Sequence, residues 1–245
     1  MGILLLAIAG VVVVVAVVGL AILSRQGSTL DRFRAYLLDP ASTSRSTITG
    51  GISNLGVLVS GRSATRGLDS QVSLVFSYAN GTTQTAEQII VGDVVYSRAN
   101  GGTWTSQPAG ALRLRLRSLS EFLAQNLVDE GAGPMLAGPF RGRDLHLMAL
   151  PSGTYIDVNA YGITCFGQPV TGYWITFYVA DDGTPVVMSE VCVGTDAGGA
   201  ASPIMIKQEF SDVGAPITIA PPVAAVSRRP RRPLLSNRSQ QGRAP

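Results

Sequence analysis

Few side chains in this sequence are suited to covalent chemistry. His146 is the one histidine, and it sits in "RDLHLMAL", where polar and apolar residues alternate as in a strand. Nucleophilic or general-base catalysis needs a titratable group with partners at the right spacing. No HExxH, GxSxG, glycine-rich phosphate loop or spaced carboxylate cluster accompanies it. His146 therefore reads as a structural or surface residue, and no enzyme activity, metal site or cofactor is expected.

The two cysteines, Cys165 and Cys192, suit a disulfide if the domain is exported to an oxidising compartment. A plain meander over this region would put them on strands flanking Tyr173, about 10 Å apart and beyond disulfide reach. A bond requires residues 155–170 to form a loop folded back on the sheet, and "PSGTYIDVNAYGITCFGQPVTG" is glycine-rich enough for that. Two free buried thiols are the alternative.

Arginine supplies almost all of the positive charge. Of 19 basic residues 18 are arginine, and Lys207 is the only lysine. Six arginines between Arg228 and Arg243 stand with no acid among them, and without them the net charge of +3 becomes −3. The body is mildly acidic and the tail basic. Nucleic-acid binding, which needs a basic face, is not expected. The tail suits anionic headgroups or envelope polymers as well as it suits a solubilising extension. Arg113, Arg115 and Arg117 alternate with leucines and read as a solvated strand edge.

Two kinds of element must position these groups. "STLDRFRAYLLDP" predicts a short helix, capped by Ser28 or Thr29, with Asp31 in its first turn and Leu30, Phe33 and Leu37 on one face. "SLSEFLAQNLVDEGAG" predicts a second, with Ser118 and Glu121 as a capping box and Gly131 as its stop. Leu119, Phe122, Leu123 and Leu127 form its apolar stripe, with Met135 and Leu136 in the following loop. Elsewhere period-two alternation and turn signals recur. Val72, Leu74, Phe76 and Tyr78 share one strand face, and Ile175, Phe177 and Val179 another. Asn80-Gly81 and Asp182-Gly183 mark hairpins. Asn100-Gly101 suits a two-residue type I′ turn inside "VGDVVYSRANGGTWTSQP", with Tyr96, Arg98 and Trp104 on its flanks. The expected class is α+β, an antiparallel sheet packed on helices.

At both ends the composition changes. Residues 3–23 are 21 apolar residues or glycines in a row, long enough to span a bilayer and long for a cleaved signal. The expected organisation is a transmembrane signal anchor over 1–24, a linker and short helix over 25–46, a β domain over 47–222, and a disordered Arg/Pro-rich tail over 223–245. Arg25, Arg32 and Arg34 follow the apolar run, which by the positive-inside rule would hold the domain in the cytoplasm.

A curved sheet cupping helices leaves either an apolar cavity or a packed core, and the residue pattern is the same for both. By facing alone, the candidate lining residues are Phe76, Tyr78, Leu119, Phe122, Leu123, Leu127, Ile175 and Phe177.

Three segments together resemble the LolA-like lipoprotein-carrier superfamily, and its LppX/LprG branch in particular. "IIVGDVVYSRANGGTWTSQP" resembles the family's Tyr-x-Arg hairpin leading into a tryptophan. "YWITFYVADDGTPVVMSEVCV" resembles the later aromatic hairpin, and "IKQEFSDVGAPITIAPP" its last strand. The resemblance covers about residues 28–222. It implies a half-open antiparallel β-barrel with helices in its concavity and an apolar cavity that accepts acyl chains of a lipid or lipidated molecule. It also implies an extracytoplasmic domain; family members are often lipid-anchored through a cysteine, and with no cysteine before Cys165 this chain would be held by residues 3–23 or released. A sensor or scaffold binding another envelope protein uses the same fold.

Overall fold

The computed structural model describes residues 27–223, apart from 53–54, 137, 153, 155, 162–169 and 196–200. The apolar run 3–23, the basic tail and Cys165 lie outside the described residues. Among the described residues no helix is long and apolar enough to cross a membrane.

Helix α1 (Thr29–Leu38) starts where the sequence directs it. The Ser28 hydroxyl accepts from the Asp31 N–H at 3.2 Å, and the Asp31 carboxylate accepts from the Ser28 N–H at 3.1 Å. This reciprocal pair satisfies two amides that the first turn leaves free. The helix buries Phe33, Tyr36 and Leu37.

After it come β1 (Thr43–Ile52), β2 (Val57–Arg66), β3 (Asp69–Ser77), β4 (Thr83–Val91), β5 (Val94–Ala99) and β6 (Thr105–Pro108). Helix α2 (Gly110–Asn126) crosses over to β7 (Val128–Pro134), β8 (Asp144–Ala149), β9 (Gly172–Val179), β10 (Pro185–Thr195) and β11 (Ala201–Ser211). All eleven strands form one curved antiparallel sheet in the order β6-β5-β4-β3-β2-β1-β11-β10-β9-β8-β7. The first and last strands of the β domain meet in the middle, through β1 and β11. Among the described residues β6 and β7 pair with no further strand, so the barrel does not close.

Both helices lie on one face. Ile48, Val59, Val72, Leu74, Phe76, Ile175, Phe177, Met188 and Ile206 pack beneath them in a single core with Phe33, Leu116, Leu119 and Leu123. Two glycines let this face bend tightly. A Cβ on Gly61 would lie 2.2 Å from the Ser73 carbonyl oxygen, and one on Gly50 2.2 Å from that of Met205. Those gaps are far below van der Waals contact, so only glycine allows the neighbouring backbone to come so near.

Four local expectations are corrected. The LRLRLR segment is not a strand edge but the first half of α2. Leu112, Leu116, Leu119 and Leu123 recur at helical spacing and pack inward, while Leu114 is exposed. A six-residue alternation fits both periods, and the stripe continuing to Leu123 decides for the helix. Ser118 consequently sits exposed in mid-helix and caps nothing, and the helix ends with Leu127 as its C-cap rather than at Gly131. Asn100 and Gly101 do take positive φ, at 50° and 66°, but β6 pairs only from Thr105, so the connection is longer than two residues. Met135 and Leu136 lie in the β7–β8 loop, where Met135 packs on the outer face with Leu145 and Val187 and Leu136 is exposed.

Candidate functional site

The concave face gathers the eight candidate lining residues. Phe76 comes from β3, Ile175 and Phe177 from β9, and Leu119, Phe122 and Leu123 from α2, with Leu127 at its C-cap. Tyr78 follows β3 and donates from its hydroxyl to Gln84 Oε1 at 3.1 Å. All eight belong to one cluster. Six are almost completely buried, in contact with each other and with α1, where the rings of Phe33 and Phe177 lie 5.1 Å apart. Phe122 and Tyr78 are half-buried, and Phe122 faces the ring of Tyr161 at 6.3 Å. The apolar contact is closed in this conformation, with its accessible margin at Phe122, Tyr161 and Tyr78.

A buried carboxyl lies in the same face. The β10 residues Met188, Glu190 and Cys192 alternate inward opposite Phe177, Ile175 and Tyr173 of β9. Burial pushes the Glu190 carboxyl up to about 8, and the nearby Tyr173 phenol acts in the opposite direction. Burial and then the neighbouring Glu190 push the Tyr173 phenol well above its ordinary range. The Tyr173 hydroxyl lies close enough to the Glu190 carboxyl to act on it as a hydrogen-bond donor, and it has no other partner among the described residues. At neutral pH the pair is uncharged, which suits an apolar surrounding. Cys192 beside it is disulfide-bonded, and the sequence's other cysteine, Cys165, lies outside the described residues.

Small polar side chains line the inner face at its other end. Ser46 and Ser63 lie 2.6 Å apart across β1 and β2, and Gln208 of β11 donates to Ser46 at 2.8 Å. The Gln208 Oε1 atom has no partner among the described residues.

His146 has partners after all. Its Nδ1 lies 2.7 Å from Asp129 of β7, and its Nε2 lies 3.4 Å from the exposed carboxylate of Asp181 in the β9–β10 turn. The Asp181 carbonyl accepts from Thr29 Oγ1 at 3.1 Å and from Arg32 at 2.6 Å. This arrangement fastens the start of α1 to the edge of the sheet. Among the described residues no group of three or more His, Cys, Asp or Glu has metal-binding geometry.

Arg113 does comparable work for α2. It donates to Asp69 at 2.9 Å and to the Gly92 carbonyl at 2.6 Å. Burial alone would raise the Asp69 carboxyl, but hydrogen bonds from Arg113, Arg66 and the Gly92 N–H outweigh it and hold the group below its ordinary range.

The hairpin residues Tyr96 and Trp104 pack on the convex side. They lie against Ile89 together with Ile217 and Ile219 of the segment after β11. Arg98 is ion-paired with Glu87 and lies over the Trp104 ring, 4.6 Å from its centre. These three residues clamp the C-terminal segment to the outside of the sheet and do not touch the concave cluster. Two cavities bounded by described residues also lie away from that cluster's eight residues. One, of about 590 Å³, is a convex groove between the β7–β8 loop and Leu145, Leu147, Tyr178 and Val187. The other, of about 360 Å³, lies among Ile156, Val170, Tyr173 and Trp174.

The molecule is thus an open, barrel-like antiparallel domain with a helix-covered apolar concavity. No known protein family matches the chain, and no curated protein matches it. Among solved structures it is similar to the β-barrel-like protein of a domain of unknown function, DUF1849, from Brucella abortus. The identity is 8% and the TM-score 0.22, over 70% of this chain and 96% of that one. A likeness this distant says nothing about the site.

Sequence reasoning missed Glu190, the partners of His146 and the exposed Trp174. Strand parity held a signal for Glu190, because it shares a face with Met188 and Cys192. The His146 contacts join three elements distant in sequence, and no local pattern announces them.

Proposed function

We propose that this protein binds the acyl chains of a lipid or lipidated molecule between its sheet and its helices, as the LolA-like carriers it resembles do. In this reading residues 3–23 hold it at a membrane, with the domain on the extracytoplasmic side. The observation that carries the proposal is the concave cluster itself. It is a wide apolar surface on an unclosed sheet, covered by two helices whose polar fastenings among the described residues are few. α1 is tied by Thr29 and Arg32 to Asp181, and by Arg34 to the Leu127 carbonyl at 2.9 Å. α2 is tied at its start by Arg113.

The driving force would be burial, at about 0.8 kcal/mol for each CH₂ moved out of water. A chain of a dozen or more carbons can then replace the helix-to-sheet contacts that it displaces. α2 would act as the lid, lifting from Phe76, Ile175 and Phe177 while Arg113 holds its first turn. Glu190, neutral at pH 7, adds no charge to the lining. The test is uptake of a fluorescent fatty acid by the full chain and by its Phe122→Arg variant. Phe122 is half-buried at the margin, so the charge is tolerated in the closed state. Uptake by the full chain, reduced tenfold or more in the variant, supports the reading. Equal uptake by both would place the ligand elsewhere.

A further inference from the structure

The outer face of the sheet carries an apolar row that no element among the described residues covers. β9, β10, β11, β1 and β2 are consecutive in the sheet, and their registers align Trp174, Val191, Met205, Gly51 and Leu58. Each of these residues is flanked in its own strand by inward-facing ones, such as Ile175, Cys192, Ile204, Ile52 and Val59, so the row points away from the helices. Five strands at about 4.8 Å make it about 19 Å long. Trp174 is 60%, Met205 56% and Leu58 68% exposed, and Leu55 lies exposed three residues before Leu58. A Cβ on Gly172 would come within 2.9 Å of the Trp174 ring, so the indole lies over that glycine toward the end of the sheet.

Charge divides the two ends of the strands. On the row's own strands, the described residues of 50–59, 170–176, 191–195 and 201–206 include no Asp, Glu, Lys or Arg; the exposed Asp157 follows Ile156, which borders the same cavity as Trp174. The opposite end holds the Arg45–Asp212 and Arg66–Asp69–Arg113 ion pairs, and Asp181. The next residues along the strands, Thr176, Ser189 and Lys207, border the 590 Å³ groove, and Lys207 is already paired with Glu209 at 2.6 Å.

We infer that this row is a docking surface for a lipid bilayer. An uncharged, tryptophan-bearing strip suits the boundary between headgroups and hydrocarbon, where an indole keeps its N–H hydrated and buries its ring. A protein partner is less well served. The row is one residue wide and about 19 Å long, a strip rather than the broad patch of about 800 Å² per partner that a standard protein interface takes. Helix α1 is fixed to Asp181 at the charged end, seven residues along the chain from Trp174 and so roughly 24 Å from the row. A chain anchored through residues 3–23 therefore keeps this row free. Docking needs no lipid between the sheet and the helices, so Phe122→Arg should leave it unchanged.

The sequence has two tryptophans, so Trp104→Phe makes Trp174 the sole reporter. The full chain with this substitution is placed in phosphatidylcholine vesicles and mixed with further phosphatidylcholine vesicles, brominated lipid being put in one population or the other. Docking predicts a blue shift and quenching of Trp174 in at least one arrangement. Adding Leu58→Glu and Met205→Glu, both at exposed positions that leave the core intact, should raise the vesicle concentration needed at least about tenfold. Trp174 unquenched in both arrangements would overturn the proposal, as would quenching indifferent to the two glutamates. Emission already blue-shifted before lipid is added, together with a doubled mass in sedimentation, would assign the row to a second copy of the chain and overturn it equally.

Discussion

Replacing Glu190 by glutamine should remove a large part of the pH dependence of stability. The residue is 4% exposed, and burial raises its carboxyl to about 8. An unfolded glutamate titrates near about 4.3. Between those values the folded chain holds a proton that the unfolded chain has released. The stabilisation from that proton is complete below about pH 4.3 and is lost as pH rises, at about 1.4 kcal/mol per unit, until the folded carboxyl ionises near 8. The loss is roughly 4 kcal/mol by pH 7 and about 5 kcal/mol across the whole window. Glutamine matches the protonated side chain in volume and does not titrate. Urea melts of both proteins at pH 5, 6, 7 and 8 isolate the effect, because every other titrating group is common to them. The variant should gain about 4 kcal/mol on the wild type between pH 5 and pH 8. Stability curves that run parallel across this range would mean that the carboxyl is hydrated or ionised in the folded state, and would refute the reasoning.

Other outcomes follow from the packing. Gly61→Ala must push β2 from β3, because its Cβ would meet the Ser73 carbonyl oxygen at 2.2 Å; a loss of about 3 kcal/mol or more is expected in the urea midpoint. Leu123→Ala empties a fully enclosed site beneath α2 and should cost about 3–5 kcal/mol by the same measurement. Trp104→Ala removes the ring between Arg98 and Ile217, so limited proteolysis should cut within 213–222 severalfold faster while the core stays resistant.

Local chemistry made several elements legible. Ser28 and Asp31 sit at capping spacing, and α1 begins where they require. Asn80-Gly81, Asn100-Gly101 and Asp182-Gly183 each mark a connection between neighbouring strands, since glycine takes the positive φ at each turn. The apolar stripes also identified which residues would meet between sheet and helices. The start of α2 was not legible, because alternating leucine and arginine serves a strand and a helix equally over six residues. Nor was the convex face. Trp174, Met205 and Leu58 become neighbours only through the pairing of β1 with β11, which joins residues more than 150 apart in sequence. Tyr96, Arg98 and Trp104 stood out by type, but their role depends on Ile217 and Ile219, whose position no hairpin rule supplies. Glu190 shares the parity of Met188 and Cys192, but that parity points inward only once the facing of β10 is known, and a strand apolar on both faces does not announce it.

The central claim, that acyl chains occupy the space between helices and sheet, is tested most directly by mass spectrometry. The full chain would be expressed with its N-terminal segment, purified, and its bound lipid extracted and quantified. The account predicts close to one lipid or lipidated molecule per chain, reduced by Phe122→Arg. A wild-type chain that arrives lipid-free and takes up no added lipid would contradict it.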